Sequence, residues 1–107
     1  MRFKAWEIWL AYVKYEDRPE IKKRPVLIVP LEAGAFLMAK MTTAEPRDSY
    51  EHKIKEWKAA GLITETTIRT SKFLKLEDND MHLKLGNLHP VDVTAFQTKL
   101  ALYLQKK

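Results

Sequence analysis

One arginine and two threonines are the residues of this chain best placed to do chemistry. Arg24 opens the run Arg24-Pro25-Val26-Leu27-Ile28-Val29-Pro30, and the run Phe36-Leu37-Met38-Ala39-Lys40-Met41 closes on Thr42 and Thr43. Val26 to Val29 is too short for a globular helix, is bracketed by prolines and favours Val and Ile, so it predicts a strand. Glu32-Ala33-Gly34 joins the two runs, and a three-residue hairpin loop wants its last residue in the left-handed region, which Gly34 enters at little cost. That loop pairs Leu31 with Ala35 and, counting back, Arg24 with Thr42; a two-residue Ala33-Gly34 loop pairs Arg24 with Thr43 instead. Either register sets a guanidinium beside a hydroxyl, with Cβ atoms about 5 Å apart. A guanidinium fork can make two charge-assisted bonds to phosphate oxygens and stays charged in the cell, and a threonine hydroxyl can donate alongside it. The same pairing equally describes a solvated strand end beside two ordinary β-forming threonines.

The elements that must hold this hairpin follow from periodicity. Ala5 to Lys14 reads as a first strand, with Trp6, Ile8, Leu10 and Tyr12 on one face and Glu7, Trp9, Ala11 and Val13 on the other. Trp9 and Val13 imply that the second face is covered too, by a core, a dimer surface or a ligand platform. Tyr15 to Lys23 is a charged loop, either plain solvated surface or a lid beside Arg24. Beyond the hairpin, Ala44 to Asp48 is a turn, and Ser49 to Ile54 carries Tyr50, His52 and Ile54 at a strand period. Glu56 to Leu62 is a helical turn stopped by Gly61. Thr66 to Leu76 is β-rich with a bend or bulge expected at Ser71-Lys72. Glu77 to Asp80 is an acidic turn, and Met81 to Leu88 is a short strand or extended link. Pro90 starts a terminal helix with Asp92 in its first turn and Val93, Phe96, Leu100, Tyr103 and Leu104 at helical spacing. Five or six short strands and one helix predict a mainly β fold, a small, strongly bent barrel.

Composition narrows the function classes. A chain of 107 residues predicts one domain over 1–107, and 46% apolar residues predict that it folds. Lys and Arg number 19 against 14 Asp and Glu, a net charge of +5 that suits a polyanionic partner, nucleic acid being the commonest. The absence of cysteine removes disulfides, thiolate metal sites and cysteine nucleophiles. His52, His82 and His89 lack zinc-ligand spacing, so neither a metal nor another cofactor is expected. The amino terminus puts Glu7 where a signal peptide needs an apolar core, and no apolar run approaches the ~20 residues of a membrane span. A cytoplasmic protein without membrane association is the expectation.

With Arg24-Pro25-Val26-Leu27-Ile28-Val29 and Lys40-Met41-Thr42 in view, the chain resembles the MazF/PemK-type toxins of bacterial toxin–antitoxin systems. Trp6-Glu7-Ile8-Trp9-Leu10 resembles the family's first strand. Glu56-Trp57-Lys58-Ala59-Ala60-Gly61-Leu62 followed by Ile68-Arg69-Thr70-Ser71-Lys72 is similar to a pattern in one branch of it, and Leu85-Gly86-Asn87-Leu88 before a helix also fits. The resemblance spans nearly the whole chain. It implies an SH3-like barrel of the MazF/PemK/CcdB kind with a C-terminal helix, a homodimer, and a metal-independent, sequence-specific endoribonuclease acting on single-stranded RNA. It also implies a cognate antitoxin whose acidic segment covers the active groove. Carried over by position, Arg24 matches the family's catalytic arginine and Thr42 its catalytic threonine. The chain departs from its relatives at Ser71, where some carry an aspartate two residues after the arginine matched by Arg69, and at Glu20, which lies near but not at the spacing of a functional acid.

RNA brings its own nucleophile, the 2′-hydroxyl, so cleavage calls for a proton acceptor, charge stabilisation at phosphorus and a proton donor to the leaving oxygen. Arg24 suits the second task and Thr42 can orient or donate; the base is not identified, though His52 has a suitable intrinsic pKa. Tyr15, Trp9 and Tyr50 could stack on unpaired bases, with core packing the competing role for Trp9 and Tyr50. Tyr15, Glu20, Lys22, Lys23, Lys40, Thr43, His52 and Arg69 complete the expected RNA-contacting set. Two other functions fit the same fold class. One is a non-catalytic SH3-like module binding nucleic acid or protein. The other is a gyrase-inhibiting toxin, whose relatives depend on a tryptophan near the carboxyl terminus; here none follows Trp57.

Overall fold

The computed structural model describes residues 3–14 and 19–106. Six strands form one antiparallel sheet, and a helix follows them. The elements are β1 (Glu7–Lys14), β2 (Ile21–Pro30), β3 (Phe36–Thr42), β4 (His52–Lys53), β5 (Thr67–Leu74), β6 (Met81–Asn87) and α1 (Pro90–Gln105). Their spatial order is β4-β5-β3-β2-β1-β6. The expected barrel does not close: the two edge strands, β4 and β6, do not pair with each other. The connection from Ile54 to Thr66 lies between them, and its Gly61 packs against the Leu85 carbonyl of β6. Among the described residues no helix is long and apolar enough to cross a membrane.

The β2–β3 hairpin has the three-residue register. Leu31 N–H donates to the Ala35 carbonyl at 2.8 Å, and Pro30 pairs with Phe36 and Val26 with Lys40. Gly34 is left-handed at φ 77°, as the loop requires, and Ala33 joins it at φ 62°, a conformation that costs a Cβ-bearing residue about 1–2 kcal/mol. The bulge in β5 is larger than one residue. Ala39 pairs with Phe73 and Met41 with Ile68, so Lys40 alone faces the stretch from Arg69 to Lys72. Thr70 hydroxyl donates to the Tyr50 carbonyl and Arg69 reaches Glu51, which draw that stretch towards the 50–51 turn.

The sheet has a core on each side. Ile8, Leu27, Val29, Met41, Ile68 and Phe96 pack on the face covered by α1, with Trp6 edge-on to Phe96. On the other face Trp9, Ala11, Val13, Val26, Ile28, Met38 and Met81 cluster with Phe3. The second face of β1 is therefore core, and Trp9 is a packing residue whose indole N–H donates to buried Glu7 at 3.0 Å. Alternation failed in the stretch from Ser49 to Ile54. Only His52–Lys53 is strand there, because Asp48 Oδ1 captures the N–H groups of Tyr50 and Glu51 in a turn.

Candidate functional site

The β2–β3 ladder ends at Val26–Lys40, but neither strand ends there. β2 runs on beside β1 as far as Ile21, and β3 runs on beside β5 as far as Thr42. Two strands committed to different neighbours must splay, and a cleft of about 640 Å³ opens at the fork. The expected cross-strand pairing of Arg24 with Thr42 or Thr43 is not made, because the strands part before reaching it: Arg24 pairs with Ala11 of β1 and Thr42 with Thr67 of β5. Arg24 and Thr42 nevertheless both line the cleft. Lys23, Lys40 and Thr43 join them, over a floor that includes Leu10, Pro25, Met41 and Leu85.

The opposite wall is the segment Gly61 to Thr64 with Thr66. Sequence reasoning did not assign this wall to the site, although the signal for the turn that starts it was present. Leu62 N–H bonds the Trp57 carbonyl and Gly61 N–H bonds the Lys58 carbonyl, a Schellman closure with Gly61 left-handed at φ 87°. A buried carboxylate anchors the turn from beneath. Asp92 Oδ1 accepts from Lys55 N–H at 2.8 Å and Oδ2 from Glu56 N–H at 2.9 Å, while His52 Nε2 lies 2.8 Å from Oδ1. Burial pushes the Asp92 pKa up, but these three hydrogen bonds outweigh it and hold the carboxyl below its ordinary value.

Among the described residues, the cleft lining carries the cations Lys23, Arg24 and Lys40, the hydroxyls of Thr42, Thr43, Thr64 and Thr66, and no acid. Such a site suits a phosphodiester: cations for its charge, hydroxyl donors for its oxygens and an apolar floor for what the phosphate carries. Arg24 Nη1 donates to the Lys23 carbonyl at 3.1 Å, which fixes one side of the fork. Thr42 Oγ1 accepts from Ala44 N–H at 3.2 Å. With its oxygen engaged as an acceptor, the hydroxyl presents its proton as a donor. No three His, Asp or Glu side chains among the described residues converge as a metal set.

The remaining expected site residues lie elsewhere. His52 is buried under α1, with Nδ1 3.1 Å from Lys99 Nζ. An ammonium only donates, so Nδ1 is the acceptor and the ring is neutral with its proton on Nε2. Burial lowers its pKa against the opposing pull of Asp92. Arg69 is half-buried and bound to Glu51 at 2.9 Å, a fully buried carboxylate that Arg47 also grips. Tyr50 packs edge-on to Tyr103 at 5.7 Å with Lys106 Nζ 4.7 Å from its ring centre. Lys22 and Glu20 are exposed, 3.7 Å apart, and neither lines the cleft. Tyr15 falls outside the described residues.

No protein-family model matches the chain, and no curated protein sequence matches it. Solved structures do match. An endoribonuclease in complex with its cognate antitoxin, from a mycobacterial species, superposes with a TM-score of 0.74 at 15% identity, over 94% of this chain and 93% of that one. The Mycobacterium tuberculosis toxin MazF-mt6 superposes with a TM-score of 0.72 at 18% identity, over 92% of this chain and 96% of that one. The open, bent six-stranded sheet with its C-terminal helix is thus the fold of the MazF toxins.

Proposed function

We propose that this chain is the toxin of a toxin–antitoxin pair and cleaves single-stranded RNA as a metal-independent, sequence-specific endoribonuclease. The observation that carries the reading is the placement of Arg24 and Thr42 on the two arms of one fork, in a cleft whose described lining is cationic and hydroxyl-bearing. The likeness in fold to a MazF toxin and to an endoribonuclease bound to its antitoxin supports it. In the reaction, the 2′-hydroxyl gives up its proton as its oxygen attacks phosphorus, the bond to the 5′-oxygen breaks as that oxygen takes up a proton, and a 2′,3′-cyclic phosphate and a 5′-hydroxyl result with no net change in protons. Arg24 binds the non-bridging oxygens and offsets the charge that grows on them in the phosphorane; Thr42 donates to one of those oxygens and fixes the phosphate's orientation. The nucleophile belongs to the substrate and a guanidinium supplies the charge, so the scheme calls for no metal. Lys23 and Lys40 attract the flanking phosphates. An acidic antitoxin segment is the natural inhibitor of such a groove. The protein acts as a homodimer in the cytoplasm.

The test is incubation of purified protein with a long single-stranded RNA in excess EDTA, beside Arg24→Ala. Discrete cuts by the wild type and a loss of about 10²–10³-fold in the folded variant are expected, the usual cost of removing one transition-state donor. Wild-type rates from folded Arg24→Ala would remove the assignment, and intact RNA from the wild type would remove the function.

A further inference from the structure

The cleft does not end at Leu10. On the same face of β1, two residues and therefore about 7 Å further along, stands Tyr12. The residue is 38% exposed; it lies on the strand next to the sheet's edge, one residue past the last pair of the β1–β6 ladder. Across the ladder Tyr12 pairs with Lys23, which lines the cleft beside Arg24. On the other flank the β1–β6 register slips between Leu10–Leu83 and Ala11–Met81, and the extra residue in the slip is His82. The slip brings His82 against Tyr12, with ring centres 5.5 Å apart and tilted by 60°, and the tyrosine hydroxyl 3.5 Å from Nδ1. Leu83, 43% exposed, continues the apolar surface back to Leu10. An aromatic pair held open to solvent by a strand irregularity, contiguous with a cationic cleft and flanked by Lys23, is what a strand of unpaired nucleotides needs next to a bound phosphate.

We propose that Tyr12 and His82 form a stacking platform for a nucleobase of the single-stranded RNA, adjacent to the phosphate held by Arg24. This rests on the proposed function, from which it is separable by experiment. The base lies on the Tyr12 ring while Lys23 meets the phosphate beside it. His82 braces the tyrosine from the side and widens the aromatic surface. The platform grips any base face and so contributes affinity; hydrogen-bonding groups elsewhere in the cleft discriminate between bases.

Two ligands separate the terms: a short single-stranded DNA, which lacks the 2′-hydroxyl and survives incubation, and an abasic strand with the same phosphates. Wild-type protein is expected to prefer the base-bearing strand. Tyr12→Ala should weaken its binding by roughly 5- to 150-fold, the range of one base–aromatic stack, and leave the abasic strand unaffected. The salt dependence of binding should not change, because the phosphate contacts are intact. Tyr12→Phe keeps the ring and should bind as the wild type does. Undiminished base preference in folded Tyr12→Ala overturns the platform while the EDTA cleavage result stands. A loss confined to an acidic peptide, with DNA binding intact, overturns it in favour of a protein-docking surface. Wild-type protein that binds neither strand and cuts no RNA overturns both readings.

Discussion

Replacing Asp92 by asparagine tests whether a single buried carboxylate holds the cleft wall. In the native protein its two oxygens receive Lys55 N–H, Glu56 N–H and the His52 ring. An asparagine can keep one oxygen towards Lys55 and His52. Its amide nitrogen then faces the Glu56 N–H, donor against donor. That buried N–H, left unsatisfied, costs about 1–3 kcal/mol, and the two surviving bonds fall from charge-assisted to neutral strength, about 1 kcal/mol each. Relief of the carboxylate's own desolvation offsets part of this, leaving a net loss of about 2–4 kcal/mol. For a domain of this size that lowers Tm by roughly 10–25 °C. Thermal melts followed by far-UV circular dichroism check the magnitude. The functional consequence is separate: the 55–62 turn loosens, and the Gly61–Thr66 wall with it, so on the proposed function RNA cleavage at a temperature where the variant is fully folded should still fall. A variant that melts within about 2 °C of the wild type would show that the N–H groups of 55 and 56 are satisfied without Asp92, and would refute the anchoring argument.

Three further perturbations follow from the same structure. Gly61→Ala puts a Cβ against the Leu85 carbonyl at a left-handed φ of 87°, and should cost roughly 2–5 kcal/mol in a urea titration. Glu51→Gln removes the charge that Arg47 and Arg69 share; a loss of about 3 kcal/mol is expected, and combining it with Arg69→Ala in a double-mutant cycle should add little, which a role for Arg69 at the RNA would not produce. Stability should also fall as pH drops through His52's ordinary value of 6.5 towards its lower folded value, because in that window the unfolded chain binds the proton and the folded ring, placed between Asp92 and Lys99, does not. Urea midpoints at pH 7.5 and 5.5 should differ for the wild type and converge in His52→Gln.

The hairpin was legible because its determinants are local. Gly34 fixes the loop and the loop fixes the register as far as Val26–Lys40; the parting of the strands beyond it, which sets Arg24 and Thr42 on two arms of a cleft instead of in a pair, depends on β1 and β5 and was not legible. The Schellman turn at Gly61, like the hairpin loop, was legible from local residues. What the sequence concealed is non-local. Period-two spacing at Tyr50, His52 and Ile54 reads as a strand, but Asp48 captures two of the N–H groups that a strand would need. His52 suits a general base by intrinsic pKa, yet its partners Asp92 and Lys99 come from a helix 40 and 47 residues away. Arg69 answers to Glu51, 18 residues back, and a charge partner at that distance leaves no pattern. Tyr12 sits in the unbroken alternation of β1 and reads as core-facing; only the register slip against β6, invisible in either strand alone, leaves it open beside His82.

The two sides of the cleft are held by different forces, and this bears on how the cleft can vary. Arg24 belongs to the β1–β2 ladder and Thr42 to the β3–β5 ladder, each fixed by backbone hydrogen bonds that no side-chain change removes. Their separation is set by how two paired strands diverge, so on the proposed function a bound phosphate would meet the same geometry whatever the rest of the groove contains. The facing wall, from Gly61 to Thr66, belongs to no ladder until Thr66, whose carbonyl accepts from Ile54 N–H at 2.9 Å. It depends on one glycine conformation and one buried carboxylate, and it exposes Ile63 almost completely. Side chains on such a segment can change without moving the arginine or the threonine. On the proposed function, substitution at Ile63 or Thr64 should therefore alter which sequence is cut more than the rate at the preferred site, whereas substitution at Arg24 should lower the rate at every site. Mapping cut ends from Thr64→Val beside the wild type separates the two, and an unchanged cut map with a uniformly slower rate would place Thr64 with the reacting groups instead.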